Sequence, residues 1–545
     1  MRDRYAVCQK HIVDSFRLSA TVHVDVGTSA LGQGLHNAPS GKAPVLIFAG
    51  QAPHTLYGEA VGSRSEHVQW YQDAPAQASI VAPYTRYSNE IKSGEHVRMM
   101  VNRALLMAST GSCGPAYLTA TREVLAARAT PQPGHQYRER VPSCRIGGLA
   151  DADIQLVGEA LLFAESPLVV TGYLGRSHAA VRNLVRLTEL VGGLRVFDFE
   201  FREMSFPANH RACVTRATGG APAVKSADVI LVLDADVPWI PTKVRPSPSA
   251  RIFLVDIDPR KEKMQLFDIF AEASFDAECN IVLQQLRDYV SSSEQLNKRQ
   301  HIFQQRWDHL GGTHAKGLET LNLRAQPRAD GSISNNDLFA TLRRLLPADT
   351  IYVNDVVTNQ VPLSEQLQLT APGTNITKGG SGLGWAGGAA IGARLALDLY
   401  DVSNRPDVRA LNRSAVRCKQ SRLVCCLTGD GSFVFGAPSA IYWAQHRLET
   451  PFLSVVINNG GWRATRSCID DVHPGGLASA VSDEGLGIDL RMYGPDYVGI
   501  SVAASNGTLW ARKVDGMAEL DAAISEATAV VQEEKRGALL EVVIS

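Results

Sequence analysis

Cysteine is scarce in this chain: nine among 545 residues, scattered, with only Cys425 and Cys426 adjacent. No pair has Cys-x-x-Cys spacing, which excludes a thiolate zinc cluster or a redox dithiol and suits a reducing, cytoplasmic compartment. Net charge is equally scarce. The 54 basic and 55 acidic residues leave a formal charge of -1, so no global field draws the protein to nucleic acid or an anionic membrane, and the expected partner is a small molecule. No apolar run approaches the ~20 residues that span a bilayer. The first twenty residues mix Arg2, Arg4, Lys10 and Arg17 with Asp3 and Asp14 and lack the apolar core of a signal peptide. Glutamate is absent before Glu59.

A hydrophobic content of 45% over this length predicts roughly three domains, each with its own core. Strand-like apolar runs alternate with helical patterns, the signature of an α/β fold with parallel sheets flanked by helices. A first domain over residues 1–130 contains Ala43–Gly50 and Ala116–Ala120 as strands. It closes at the polar stretch Thr130–Pro142, which reads as a linker. A central domain over 150–290 carries Pro167–Gly172, Asp228–Asp234 and Arg251–Asp256. A charged, glutamine-rich linker is expected over 291–335. The third domain, 335–545, contains Asp349–Val353, Leu423–Leu427, Phe452–Ile457 and Leu539–Ile544, with a glycine-rich helix start at Gly379–Leu397 and a final helix near Ala518–Glu533.

Two chemical patterns stand out. In the central domain the strand end Val255-Asp256-Ile257-Asp258-Pro259 could present a carboxylate to a nucleotide ribose, or Asp256 could be structural; no G-x-G-x-x-G opens the unit. In the third domain Gly429-Asp430-Gly431-Ser432 directly follows one strand, and Asn458-Asn459-Gly460-Gly461 ends the next. Singly these are common turns. Together they deliver a carboxylate and an amide to one sheet edge, where open α/β sheets bind ligands. Asp430, the Asn459 side-chain oxygen and a loop carbonyl such as that of Gly461 are hard oxygen ligands suited to Mg²⁺ or Ca²⁺, and Mg²⁺ would complete its shell with phosphates and water. Gly429 and Gly431 let backbone approach a diphosphate, and the helix starting near Ser432 aims its N-terminus at the anion.

These motifs resemble those of the thiamine diphosphate-dependent enzymes, the family of acetolactate synthase, benzoylformate decarboxylase and pyruvate decarboxylase, whose signature is Gly-Asp-Gly followed at this spacing by Asn-Asn. The resemblance extends along most of the chain. Gly379 to Trp385, continuing into Ala389 to Ala393, is similar to the segment that precedes the metal motif. Leu383 matches the apolar residue that props the cofactor into its bent shape. Trp462 and Val472 to Gly476 fit the loop after Asn-Asn. His23-Val24-Asp25-Val26-Gly27-Thr28, leading to Ala43–Gly50 and Gly50-Gln51-Ala52-Pro53, is similar to the pyrimidine-binding domain, and His23 coincides with the active-site histidine of benzoylformate decarboxylase. An imidazole there could shuttle a proton; otherwise it is a structural residue. Arg64, Glu66, Gln69, Trp70 and Asp73 fall where relatives place substrate-facing residues, or form a solvated amphipathic helix.

What the resemblance implies is a pyrimidine-binding domain, a central Rossmann-like domain and a diphosphate-binding domain, with thiamine diphosphate and Mg²⁺ as cofactors. It implies a homodimer or homotetramer, with the cofactor between the first domain of one subunit and the third of another. The implied activity is decarboxylation of a 2-oxo acid, releasing an aldehyde or ligating a second carbonyl compound. The family also activates its cofactor with a glutamate upstream of the His23 position, at a distance that falls before Met1. The expectation is therefore either a chain shortened at its start or a cofactor-binding or regulatory subunit without turnover.

Overall fold

A computed structural model describes residues 18–128, 144–215, 219–403, 422–491 and 494–545. The expected linker Thr130–Pro142 lies outside the described residues. Three sheets, parallel throughout, run through the chain, and compact packing divides it into two units: residues 1–145 with 378–421, and 146–377 with 422–545.

The first unit holds a four-stranded sheet of β1 (Leu18–Val22), β2 (Val45–Gln51), β3 (Tyr87–Glu90) and β4 (Ala116–Thr121), ordered β1-β2-β4-β3. The central strand β4 is wholly buried and β2 mostly so, as expected of parallel strands covered on both faces. Leu31, Leu35 and Ala38 pack on one face with Val45, Ile47 and Tyr117; Met100, Ala104 and Ala108 pack on the other with Leu46 and Leu118. Residues 378–385 group with this unit because Asn37, in the helix Gly32–Ser40, binds Gly382 in both directions. Its amide donates to the Gly382 carbonyl and accepts from the Gly382 N–H, each at 2.9 Å. Gly379 lies so close to Gly41 that a side chain would collide with its backbone. The glycine-rich stretch expected to start a helix is thus an irregular seam, and the helix itself runs Ala386–Ser403.

The second unit carries two sheets. Strands β5 (Leu168–Thr171), β6 (Arg195–Asp198), β7 (Cys213–Val214), β8 (Val229–Leu233), β9 (Arg251–Asp256) and β10 (Ala273–Asp276) are ordered β10-β9-β8-β5-β6-β7. Much of the stretch expected as a linker is helical, at Glu294–Lys298 and Gln300–Arg324. Phe303, Leu310 and Leu321 are the buried hydrophobic positions of the longer helix, and Phe303 joins the core of the second sheet. Its apolar positions are so few that composition alone reads as linker.

Strands β11 (Ile351–Asp355), β12 (Asn375–Thr377), β13 (Val424–Gly429), β14 (Leu453–Asn458), β15 (Trp510–Val514) and β16 (Ala538–Val543) form the third sheet, ordered β12-β11-β13-β14-β16-β15. The chain leaves β11 toward β12 and later lays β13 on the opposite side of β11. Strand order therefore reverses between β11 and β13, the place where the carboxyl edge of such a sheet opens a ligand crevice.

Candidate functional site

Asp430 stands at that reversal. Strand β13 runs apolar and buried from Val424 to Leu427, then delivers Gly429 as cap and Asp430 as first residue of the short helix Asp430–Phe435. The Asp430 side chain is buried. Its Oδ1 accepts from the Gly431 N–H at 2.8 Å and its Oδ2 from the Gly461 N–H at 2.9 Å. Burial pushes the carboxyl above its ordinary value, opposed by these N–H groups. One terminal atom of the Asn459 amide lies against Asp430 Oδ2 and the Gly461 carbonyl oxygen. Turned to place nitrogen there, it would donate to them at 3.3 and 2.9 Å. Turned to place oxygen there, it completes three converging oxygens from two neighbouring strand ends. Such a set suits a hard cation, with the rest of the coordination shell left to a ligand and water. Among the described residues no cluster of three or more His, Cys, Asp or Glu side chains could hold a metal, so this mixed set is the candidate.

Glycine is required here for space. A Cβ on Gly431 would sit 2.3 Å from the Trp462 ring. Gly461 adopts φ +147, and a Cβ on it would sit 2.2 Å from the Ile488 carbonyl oxygen. Ser432 is buried and its hydroxyl donates to Asp355 Oδ1 at 3.2 Å, tying the Asp430 turn to the end of β11. The sequence reading missed the turn after β11, where Val357 takes φ +42 and Thr358 reaches the Asn459 amide at 3.5 Å. A β-branched residue in left-handed backbone is strained. Composition gave no signal for it. A cavity of about 770 Å³ opens beside Asn459, with Thr358, Arg463, Lys513 and the buried Glu541 among its walls.

The other predicted residues belong to different surroundings. His23 follows β1 and is exposed, with Nδ1 3.2 Å from the Val24 carbonyl oxygen. Leu383 is half-buried in the first unit's glycine seam. Arg64 is bound to the Pro53 and Gln69 carbonyls and pairs with Asp73, so its guanidinium staples a loop; the helical part of that region is a single turn, Val68–Tyr71. In the central domain Asp256 is fully buried. Its Oδ1 accepts from the Asp258 N–H and its Oδ2 from Lys261 Nζ at 2.6 Å. Both oxygens are engaged within the fold, which favours the structural reading of that strand end over a ribose contact.

Fold and site together define an α/β protein of three parallel sheets with a mixed oxygen site at the carboxyl edge of the last. Residues 355–542 match the family described as "Thiamine pyrophosphate enzyme, C-terminal TPP binding domain". This segment is therefore similar to the TPP-binding domain of that family, and the chain has acetolactate synthase-like homologues. The acetolactate synthase of Mycobacterium bovis is 22% identical over 395 residues, which cover 68% of this chain and 58% of that enzyme; the chain thus matches less than two thirds of that relative's length. Two solved structures share the fold. The thiamine diphosphate-dependent 4-hydroxybenzoylformate decarboxylase of Rhodococcus jostii RHA1 superposes with a TM-score of 0.71 at 20% identity, covering 99% of this chain and 90% of that one. The benzoylformate decarboxylase of Polynucleobacter necessarius superposes with a TM-score of 0.73 at 17% identity and the same coverage. Among the described residues no helix is long and apolar enough to cross a membrane.

Proposed function

We propose that this protein is a thiamine diphosphate- and Mg²⁺-dependent enzyme that decarboxylates a 2-oxo acid, or ligates the resulting fragment to a second carbonyl compound, as a cytoplasmic homodimer or homotetramer. The observation that carries the reading is the convergence of Asp430 Oδ2, the Asn459 amide and the Gly461 carbonyl at the strand-order reversal of a domain matched to TPP binding. The homologues' acetolactate synthase and decarboxylase names support the substrate class.

These residues fit the cofactor's diphosphate. Asp430, Asn459 and Gly461 would hold its cation, and the bare Gly431 leaves room for the Trp462 ring that packs behind the Asp430 turn. Bound there, thiamine diphosphate supplies an electron sink for the pair left when a 2-oxo acid loses carbon dioxide. The chain's own contribution at this edge is binding and orientation. The Ser432–Asp355 hydrogen bond ties down the turn from which the Asp430 carboxylate would hold the cation.

Isothermal titration of the purified chain with thiamine diphosphate, with Mg²⁺ and with chelator, tests the reading. We expect binding only with the metal, and its loss in Asp430→Ala. Equal affinity in both conditions would remove the metal assignment, and failure to release carbon dioxide from any of a panel of 2-oxo acids would remove the activity.

A further inference from the structure

Strands β2 and β4 are parallel neighbours whose ends, Gln51 and Thr121, stand opposite each other in register. Three residues beyond the first lies His54; two beyond the second lies Glu123. The Glu123 side chain is 5% exposed, and its Oε1 is fixed by three donors: the His54 N–H at 2.9 Å, the Thr55 N–H at 2.9 Å and the Thr55 hydroxyl at 2.6 Å. Burial disfavours its charge, but the Thr55 hydroxyl, the Glu123 and Thr55 N–H groups and the Thr121 hydroxyl outweigh that and hold the carboxyl at about 2. Its second oxygen, Oε2, is sealed from water and makes no hydrogen bond. The His54 ring faces it, with Nδ1 3.4 Å away while the side chain as a whole is 62% exposed.

A permanently ionised, buried carboxylate with one oxygen spare, facing an otherwise exposed imidazole, is the arrangement that fixes a histidine tautomer. A small ring rotation turns the 3.4 Å approach into an Nδ1–H bond, satisfies the spare oxygen and leaves the Nε2 lone pair directed outward. We propose that His54 is an acid–base residue of this protein, exchanging a proton between Nε2 and a carbonyl substrate or its product, with Glu123 as the positioning residue. Only a proton moves: Nε2 takes it as a base and returns it as an acid, and Glu123 stays ionised throughout because its proton affinity is too low to accept it. His23 lacks such a partner among the described residues, where its ring contacts the neighbouring Val24 carbonyl. The catalytic part rests on the 2-oxo acid reading above; the pairing does not.

The test uses the full chain with ¹⁵N-labelled histidine, the His54 signal identified by its disappearance in His54→Asn. We expect neutral His54 to be the Nδ1–H tautomer, against the Nε2–H form usual for a free imidazole, and to revert in Glu123→Gln, which keeps the shape and an acceptor at Oε1. With 2-oxo acid substrates, kcat should fall ~10²-fold or more in His54→Asn with KM nearly unchanged. An Nε2–H tautomer in the wild type would overturn the pairing whatever the kinetics. Unchanged kcat in His54→Asn would overturn the catalytic role. A wild-type chain with no turnover but with the expected tautomer would refute the 2-oxo acid reading and the catalytic role while upholding the pair.

Discussion

Gly431→Ala puts a single methyl group into the turn that carries Asp430. The added Cβ would meet three Trp462 ring atoms at 2.3, 2.7 and 2.7 Å, well inside van der Waals contact. The ring cannot yield by a rotamer tip alone, because it also packs edge-on against Phe435 at 5.4 Å between centroids. Overpacking of this kind costs ~1–3 kcal/mol. Alanine in the short helix Asp430–Phe435 returns up to ~1 kcal/mol relative to glycine, so the net loss should fall between ~0 and ~3 kcal/mol. In a Trp462→Ala background the obstacle is gone and only the helical preference remains, so the same substitution should be neutral or stabilising by a few tenths to ~1 kcal/mol. Chemical denaturation of the four proteins of this double-mutant cycle reads the coupling directly, with ~1–3 kcal/mol expected. Cofactor affinity in Mg²⁺ should fall in the single Gly431→Ala variant, since displacing Trp462 moves the neighbouring Gly461. An identical cost in both backgrounds would show that Trp462 is not what keeps this position bare.

In the central domain, Lys261→Met leaves the buried Asp256 without its 2.6 Å partner and Asp236 without its 2.9 Å partner; removing one member of a buried pair should cost ~3–5 kcal/mol in denaturant titration, and a loss under ~1 kcal/mol would mean water reaches these carboxylates. Asp25 gives the opposite kind of signal. It is buried, and burial raises its folded-state pKa, with Asp73 adding to the shift and the Ala74 N–H and His23 opposing it. Its contribution to stability is therefore full below the unfolded-state value and lost as pH rises through the folded one. Asp25→Asn should flatten that fall and stabilise the chain at neutral pH, as read by denaturation midpoints from acid to neutral; an unchanged pH slope would count against a buried carboxyl.

The core of the fold was legible because parallel strands buried on both faces are continuous apolar runs. Arg251–Asp256 was read with the bounds the structure has, and Val424–Gly429, Leu453–Asn458 and Ala538–Val543 within two residues. The peripheral strands β3, β7, β10, β12 and β15 are short or half-exposed and left no such run. Gly429-Asp430-Gly431 and Asn458-Asn459 were readable for a related reason: each follows its apolar strand immediately, so pattern alone places both at one sheet edge. What sequence could not decide is whatever depends on contacts between residues far apart in the chain. Residues 378–385 pack on the first unit with the Asn37 amide binding Gly382 in both directions, a contact that no periodicity marks. Asp256 is satisfied by a lysine in the loop after it, whose burial only folding reveals. Strand order, which sets the reversal between β11 and β13, brings the ends of β2 and β4 side by side in the same way. His54 and Glu123 are 69 positions apart, and the register of two parallel strands makes them neighbours.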